Sequence, residues 1–210
     1  MWKREEIKRA IEKALEDKGK RKFLQTVELI VNMRGIDFSK QENRLNLSIL
    51  LPKGRGKEIK VAVFADDPIA SKAKEAGADL LISSSDIDKM SESEVKKMCK
   101  GWVFLAQPQL MAKVGKKFGQ ILGSRGKLPR PLVGDVSAMV RNMRNTILIR
   151  SKGKYLPTVH CPIGTEEMSV DDLTENAIAV LEALKGKVGD WAFSSGYIKL
   201  TMGKPVKIGG

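Results

Sequence analysis

The chain has 210 residues, 42% of them hydrophobic, enough for a sizeable core in one or two domains. Its formal net charge of +13 predicts a polyanionic partner, nucleic acid first and an acidic membrane second. No apolar run approaches a membrane span, the charged start Met1-Trp-Lys-Arg-Glu-Glu has no apolar signal region, and Cys99 and Cys161 lack motif spacing and read as reduced thiols; the expectation is a soluble, cytoplasmic protein.

Residues 3–17 predict an amphipathic helix, with Ile7, Ile11 and Leu15 every fourth residue and Gly19 ending it. Lys18, Lys20, Arg21 and Lys22 form a basic cluster ahead of Phe23. Residues 23–33 read as a strand, and 44–51 as a strand with Leu45, Leu47, Ile49 and Leu51 on one face. Pro52-Lys-Gly-Arg-Gly-Lys57 is a basic, turn-rich break, taken as a first hinge. Beyond it the pattern changes. Short apolar strands at 61–65, 79–82 and 102–106 alternate with helices at 68–76, 91–100 and 109–118, the signature of a doubly wound parallel sheet. Residues 119–134 read as a long loop, 135–142 as a helix capped by Asp135, and 146–150 as a strand. Ser151-Lys-Gly-Lys154 is the expected return hinge, followed by a strand at 155–163, a helix at 169–185 and a last strand from Trp191 that ends in Thr201-Met-Gly203. The predicted fold class is α/β and α+β: a discontinuous α+β domain (1–57 and 152–210) carrying an inserted Rossmann-like, three-layer α/β domain (58–151). Short glycine-bearing hinges predict that the domains are open or interconverting in the free protein.

Between Glu94 and Glu166 the only acid is Asp135, against fourteen lysines and arginines. Solvated faces normally mix signs, so this window favours a polyphosphate partner. Arg125-Gly-Lys-Leu-Pro-Arg130 suits backbone phosphate contact, with glycine for close approach and proline for stiffness. In the last strand Ser194, Ser195 and Thr201 lie near Tyr197, Lys199 and Lys204 with no acid after Asp190, a set of donors without a nucleophile–base pair.

No catalytic constellation is present. His160, the single histidine, neighbours Cys161 in a predicted strand, and the two point to opposite faces, which makes a poor nucleophile–base pair and a poor metal site. Gly126-Lys127 evokes a phosphate loop, but Ile121 replaces the leading glycine and Leu128 the Mg²⁺-binding hydroxyl. Asp66-Asp67 would repel a pyrophosphate; the pair could hold Mg²⁺, with helix capping ahead of Pro68 the alternative. No cofactor or metal is expected. A small-molecule enzyme would need a glycine-rich loop after a strand, and a nonspecific basic protein would bind RNA without sequence preference.

Leu51-Pro-Lys-Gly-Arg-Gly-Lys57 followed by Val61-Ala-Val-Phe-Ala65, then Gly126-Lys-Leu-Pro129 and Thr201-Met-Gly203, resembles the L-one family of large-subunit ribosomal proteins over essentially the whole chain, in its archaeal form. The resemblance implies a two-domain, non-enzymatic protein, monomeric when free, that becomes part of the large ribosomal subunit. It implies binding to large-subunit ribosomal RNA at the mobile side stalk, a part in releasing deacylated tRNA from the exit site, and repression of translation through the protein's own messenger RNA. Carried over by position, the RNA-recognition residues are Lys22, Phe23, Thr26 and Glu28 of the first strand and Ser195, Thr201, Met202 and Gly203 of the last. Thr and Ser can bond 2′-hydroxyls, and Phe23 and Met202 can pack on sugars and base edges. Glu28 would accept from a 2′-hydroxyl or amino donor, or orient a neighbouring lysine. Leu24-Gln25 stands where bacterial members have an acid after the Phe. Arg125, Lys127 and Arg130 are candidate secondary RNA contacts.

Overall fold

The computed structural model describes residues 2–151 and 156–209. The chain divides into two compact units, Met1–Lys57 with Asn145–Gly210, and Glu58–Arg144. The first unit opens with α1 (Arg4–Leu15), which buries Ile7, Ala10, Ile11 and Ala14 on one stripe. At its N-terminus the Glu6 carboxylate accepts from the Lys3 backbone N–H at 2.7 Å. Strand β1 (Thr26–Met33) buries every second side chain, and β2 (Asn46–Leu50) follows after a loop pinned by buried Phe38. The segment after β2, the expected first hinge, is anchored within the first unit. Asn176 accepts from Lys53 N–H at 3.0 Å and donates to the Gly54 and Ile163 carbonyls at 2.8 Å each. Gly56 sits at φ +64, and a Cβ there would lie 2.4 Å from Thr165 Oγ1, so a side chain is excluded.

The inserted unit runs β3 (Lys60–Phe64), α2 (Ile69–Glu75), β4 (Leu80–Ile82), α3 (Ser84–Lys89), α4 (Glu92–Met98), β5 (Trp102–Ala106), α5 (Pro108–Ser124), β6 (Arg130–Pro131) and α6 (Val136–Asn145), whose last residue already belongs to the first unit. Its sheet has the order β4-β3-β5-β6 with every pair parallel. Alternate strand residues bury on opposite faces. Ala62, Phe64 and Phe104 meet α3, α4 and α5, whereas Val61, Val63 and Leu105 meet α2 and α6, giving three layers. Two departures from the sequence expectation stand out. Residues 119–124 are helix, not loop, because Val114, Phe118 and Leu122 continue one buried stripe at every fourth residue. Helix α3 was not expected; Ser83 and Asp86 form a capping box just as Ser91 and Glu94 do for α4.

The chain returns through β7 (Thr146–Arg150), β8 (Thr158–Thr165), α7 (Val170–Val188), β9 (Phe193–Leu200) and β10 (Val206–Lys207). Strand β7, expected within the inserted domain, pairs antiparallel with β2 and sends Ile147 and Ile149 into the core of the first unit. Ser151 extends this ribbon, its hydroxyl accepting from Leu45 N–H at 2.9 Å; the rest of the expected return hinge, 152–154, lies outside the described residues. The main sheet has the antiparallel order β10-β9-β1-β8. Helices α1 and α7 cover one face with Ile7, Ile11, Leu173, Ala177, Val180 and Leu184 over Val27, Leu29, Val31, Ile198 and Leu200. The side chains of the other face are exposed or half-buried, apart from Thr165 at the end of β8, which is buried.

Candidate nucleic-acid interface

The uncovered sheet face is built by register. In β1 the parity that buries Val27, Leu29 and Val31 turns Thr26, Glu28, Ile30 and Asn32 outward. Pairing places Glu28 opposite Lys199, Ile30 opposite Tyr197 and Asn32 opposite Ser195 on one side, and Glu28 opposite Pro162, Ile30 opposite His160 and Asn32 opposite Thr158 on the other. Asn32 Nδ2 donates to Ser195 Oγ at 2.9 Å and Thr158 Oγ1 donates to Asn32 Oδ1 at 3.0 Å. Ser195 is thereby part of a three-residue polar row across three strands. His160 is exposed on this face and Cys161 is buried on the other.

At the opposite end of the face, Thr201-Met-Gly203 forms the turn between β9 and β10 and is not strand. Gly203 N–H bonds the Leu200 carbonyl at 2.9 Å, and a Cβ on Gly203 would stand 3.1 Å from Leu200 Cβ, so a side chain there would crowd the turn. Thr201 is clamped to Thr26 at the start of β1: its N–H bonds the Thr26 carbonyl at 3.0 Å, and its Oγ1 accepts from Thr26 N–H at 3.1 Å. Glu28 Oε2 lies 4.0 Å from Lys199 Nζ, and that ammonium donates to the Thr201 carbonyl at 2.9 Å. Glu28 thus stands beside the lysine that reaches the turn. Phe23 and Met202 are 50% and 58% exposed. Strand β1 starts at Thr26, so Lys22 and Phe23 sit in the irregular segment before it, both exposed.

What holds that segment is a pair of residues absent from the sequence-based site. Gln25 is 1% exposed and Glu166 4%. Glu166 Oε1 accepts from Gln25 N–H at 2.9 Å, and Oε2 accepts from Gln25 Nε2 at 3.1 Å and from Gly19 N–H at 3.2 Å. Gln25 Oε1 in turn accepts from Met202 N–H at 3.2 Å. Burial pushes the Glu166 carboxyl up, but the bonds from Gln25 and Gly19, with the charge of Lys18, outweigh it and hold the group below the usual glutamate value. Asn32 is also absent from the sequence-based site, and outward parity along β1 is the signal that could have found it. Nothing local marks Gln25 or Glu166, which lie 141 positions apart.

The secondary candidates divide. Arg125 is exposed at the C-terminal end of α5. Lys127 Nζ donates to the Trp102 carbonyl at 3.0 Å, and Arg130 sits in β6 opposite Leu105. Other cations of the basic window also serve the inserted unit. Lys113 and Lys117 donate to the Ser84, Ile87 and Asp88 carbonyls at 2.6 Å, and Arg144 bonds the Ile59 and Gly77 carbonyls and Asp79. The charge excess therefore overstates the free positive surface of this unit.

Hydrogen-bonding side chains, a lysine bonded to the turn and two exposed apolar side chains gather at this end of the sheet, and the molecule is of the structural class. Comparison with known proteins makes this specific: the model of the ribosomal protein L1p/L10e family matches residues 11–204. The large ribosomal subunit protein uL1 of Thermoplasma acidophilum is 40% identical, aligned over 97% of this chain and 95% of its own length. Those of Archaeoglobus fulgidus and Thermofilum pendens are 38% and 42% identical, covering 98% and 96% of this chain and 98% and 92% of their own lengths. The chain belongs to the ribosomal protein L1p/L10e family, and is a structural protein of the ribosome and not an enzyme.

Proposed function

We propose that this protein is a constituent of the large subunit of the cytoplasmic ribosome and binds large-subunit ribosomal RNA through the end of its uncovered sheet face. Lys22, Phe23, Thr26, Glu28, Ser195, Thr201, Met202 and Gly203 are the recognition set. The proposal extends to the mobile side stalk as the site of binding, to a part in releasing deacylated tRNA, and to repression of translation through the protein's own messenger RNA. In it the free protein is a monomer, the first unit is the RNA-binding domain, and the inserted unit makes the secondary contacts through Arg125, Lys127 and Arg130.

The observation that carries the reading is the meeting of Thr26 and Thr201, 175 positions apart, in one clamp flanked by exposed Phe23 and Met202. The clamp spends the Thr201 hydroxyl on shape, so this end of the sheet offers a rigid outline for RNA rather than a set of loose donors. The test is filter binding to a stalk-junction RNA and to a scrambled RNA of equal length. The double substitution Thr201→Val/Met202→Ala is expected to lower preference for the junction by about tenfold, roughly 1.4 kcal/mol, with the scrambled RNA bound as before. Equal binding of both RNAs by wild type, or an unchanged preference in the variant, would sink the reading.

A further inference from the structure

We propose that Glu166 is a positioning residue of the RNA site, acting through Gln25 on the 201–203 turn; this rests on the recognition surface proposed above. The hydrogen bonds of Glu166 go to Gly19 and Gln25, neither of them a proposed RNA contact. It is a buried carboxylate that closes three strands of chain into one knot: the basic loop at Gly19, the start of β1 at Gln25 and the end of β8, where its own N–H bonds the Gln25 carbonyl at 3.0 Å. All three side-chain bonds it receives come from N–H donors. An ionised carboxylate is the side chain suited to this, since it is acceptor-only on both oxygens.

The direction of action follows from Gln25. Its amide is spent at both ends: Nε2 donates to Glu166 and Oε1 accepts from Met202 N–H. Had the amide turned end for end, an NH₂ would face the Met202 N–H and a carbonyl would face a carboxylate, donor against donor and acceptor against acceptor. Glu166 therefore fixes which end of Gln25 meets the turn, and so where exposed Met202 stands relative to Phe23 on the same loop. A site that reads shape needs this outline set before RNA arrives, because every mobile contact must be ordered at the cost of affinity.

A double-substitution cycle on the full chain tests it, with junction and scrambled RNA as probes. Glu166→Gln puts an NH₂ among N–H donors; Gln25→Ala removes the acceptor from Met202 and leaves the backbone bonds of Glu166 in place. Each is expected to lower the junction-to-scrambled ratio by about tenfold, the usual worth of a buried polar group left unpaired. Scrambled binding and its salt dependence should stay at the wild-type level. Glu166→Gln/Gln25→Ala together should lower the ratio no further than either alone, because the two act in series. If Glu166→Gln fails to fold, Gln25→Ala alone carries the test. A wild-type ratio in a folded Gln25→Ala protein overturns the proposal, as do additive losses, which would mean that Glu166 acts through general stability. Loss of the preference in Thr201→Val/Met202→Ala with none in Gln25→Ala sinks the latch and spares the site. A wild-type protein without preference sinks both.

Discussion

Burial, with the charge of Glu28 added, pushes the Cys161 thiol up to about 12. At pH 8 almost no thiolate exists to react, and the sulfur lies under α7 on the covered face of β8. A disulfide reagent at pH 8 should therefore leave Cys161 of the folded protein untouched and label it as urea unfolds the chain; rapid labelling in the native state would contradict the burial. Glu166 behaves in the opposite sense. Its folded value is lowered from 4.5, so its ionised form is worth more in the folded protein than in the unfolded one. That contribution is fully present above the unfolded value and is lost as pH falls through the folded one. Urea unfolding of wild type and Glu166→Gln should show a constant gap in stability from neutral pH down to about 5, narrowing below it. A gap that widened in acid would mean that the bonds from Gln25 and Gly19 do not govern this group.

At the scale of elements, α3 takes up two cations of the basic window. The Lys117 ammonium lies against the Ile87 and Asp88 carbonyls in the last turn of this short helix, where its dipole favours cations, and the Lys113 ammonium bonds the Ser84 carbonyl in the first turn and the Asp88 carboxylate. Lys117→Met should cost about 1–2 kcal/mol in urea unfolding and leave RNA affinity unchanged; a fall in affinity with intact stability would make Lys117 an RNA contact. The sequence made much of this architecture legible. The β-branched and aliphatic run of β1, the alternation of β2 and the apolar runs of β3 and β5 mark them as strands, and α1 and α7 announce themselves by stripes of period near four. The misses have one cause, which is that partners distant in sequence decide them. Strand β7 reads correctly as a strand, but only its match with Ile49 and Leu51 in the first core tells which sheet claims it. Gly119 and Gly123 look like loop residues until buried Leu122 shows the helix continuing through them. Thr201-Met-Gly203 reads as strand from its β-branched start, and the bond from Gly203 N–H to Leu200 makes it a turn. In the candidate site the exposed residues were named by family resemblance, position by position, whereas the Gln25–Glu166 support beneath them has no local mark in the sequence.

For the whole molecule, a chain of net charge +13 that acts as proposed must distinguish one RNA from another. Phosphate contacts raise affinity for every RNA alike and are weakened by salt, with a slope of about 0.7–0.9 per phosphate neutralised. A rigid outline raises affinity for one RNA and is nearly indifferent to salt. The two parts lie on adjacent pieces of this structure: Lys20, Arg21 and Lys22 are exposed on the loop whose base Gln25 fixes to the turn. Lys20 is already paired with Asp17, which leaves Arg21 and Lys22 as the better phosphate partners. Substituting Lys22 by Ala should weaken junction and scrambled RNA equally, and should reduce the salt slope by about one for each. Gln25→Ala should do the reverse, changing the ratio of the two RNAs and leaving both slopes alone. Affinities measured from low to high salt for these two proteins separate the roles in a single data set. If Lys22→Ala instead altered the ratio and kept the slope, the lysine would be reading RNA shape, and the division between charge and outline would have to move one residue closer to Phe23.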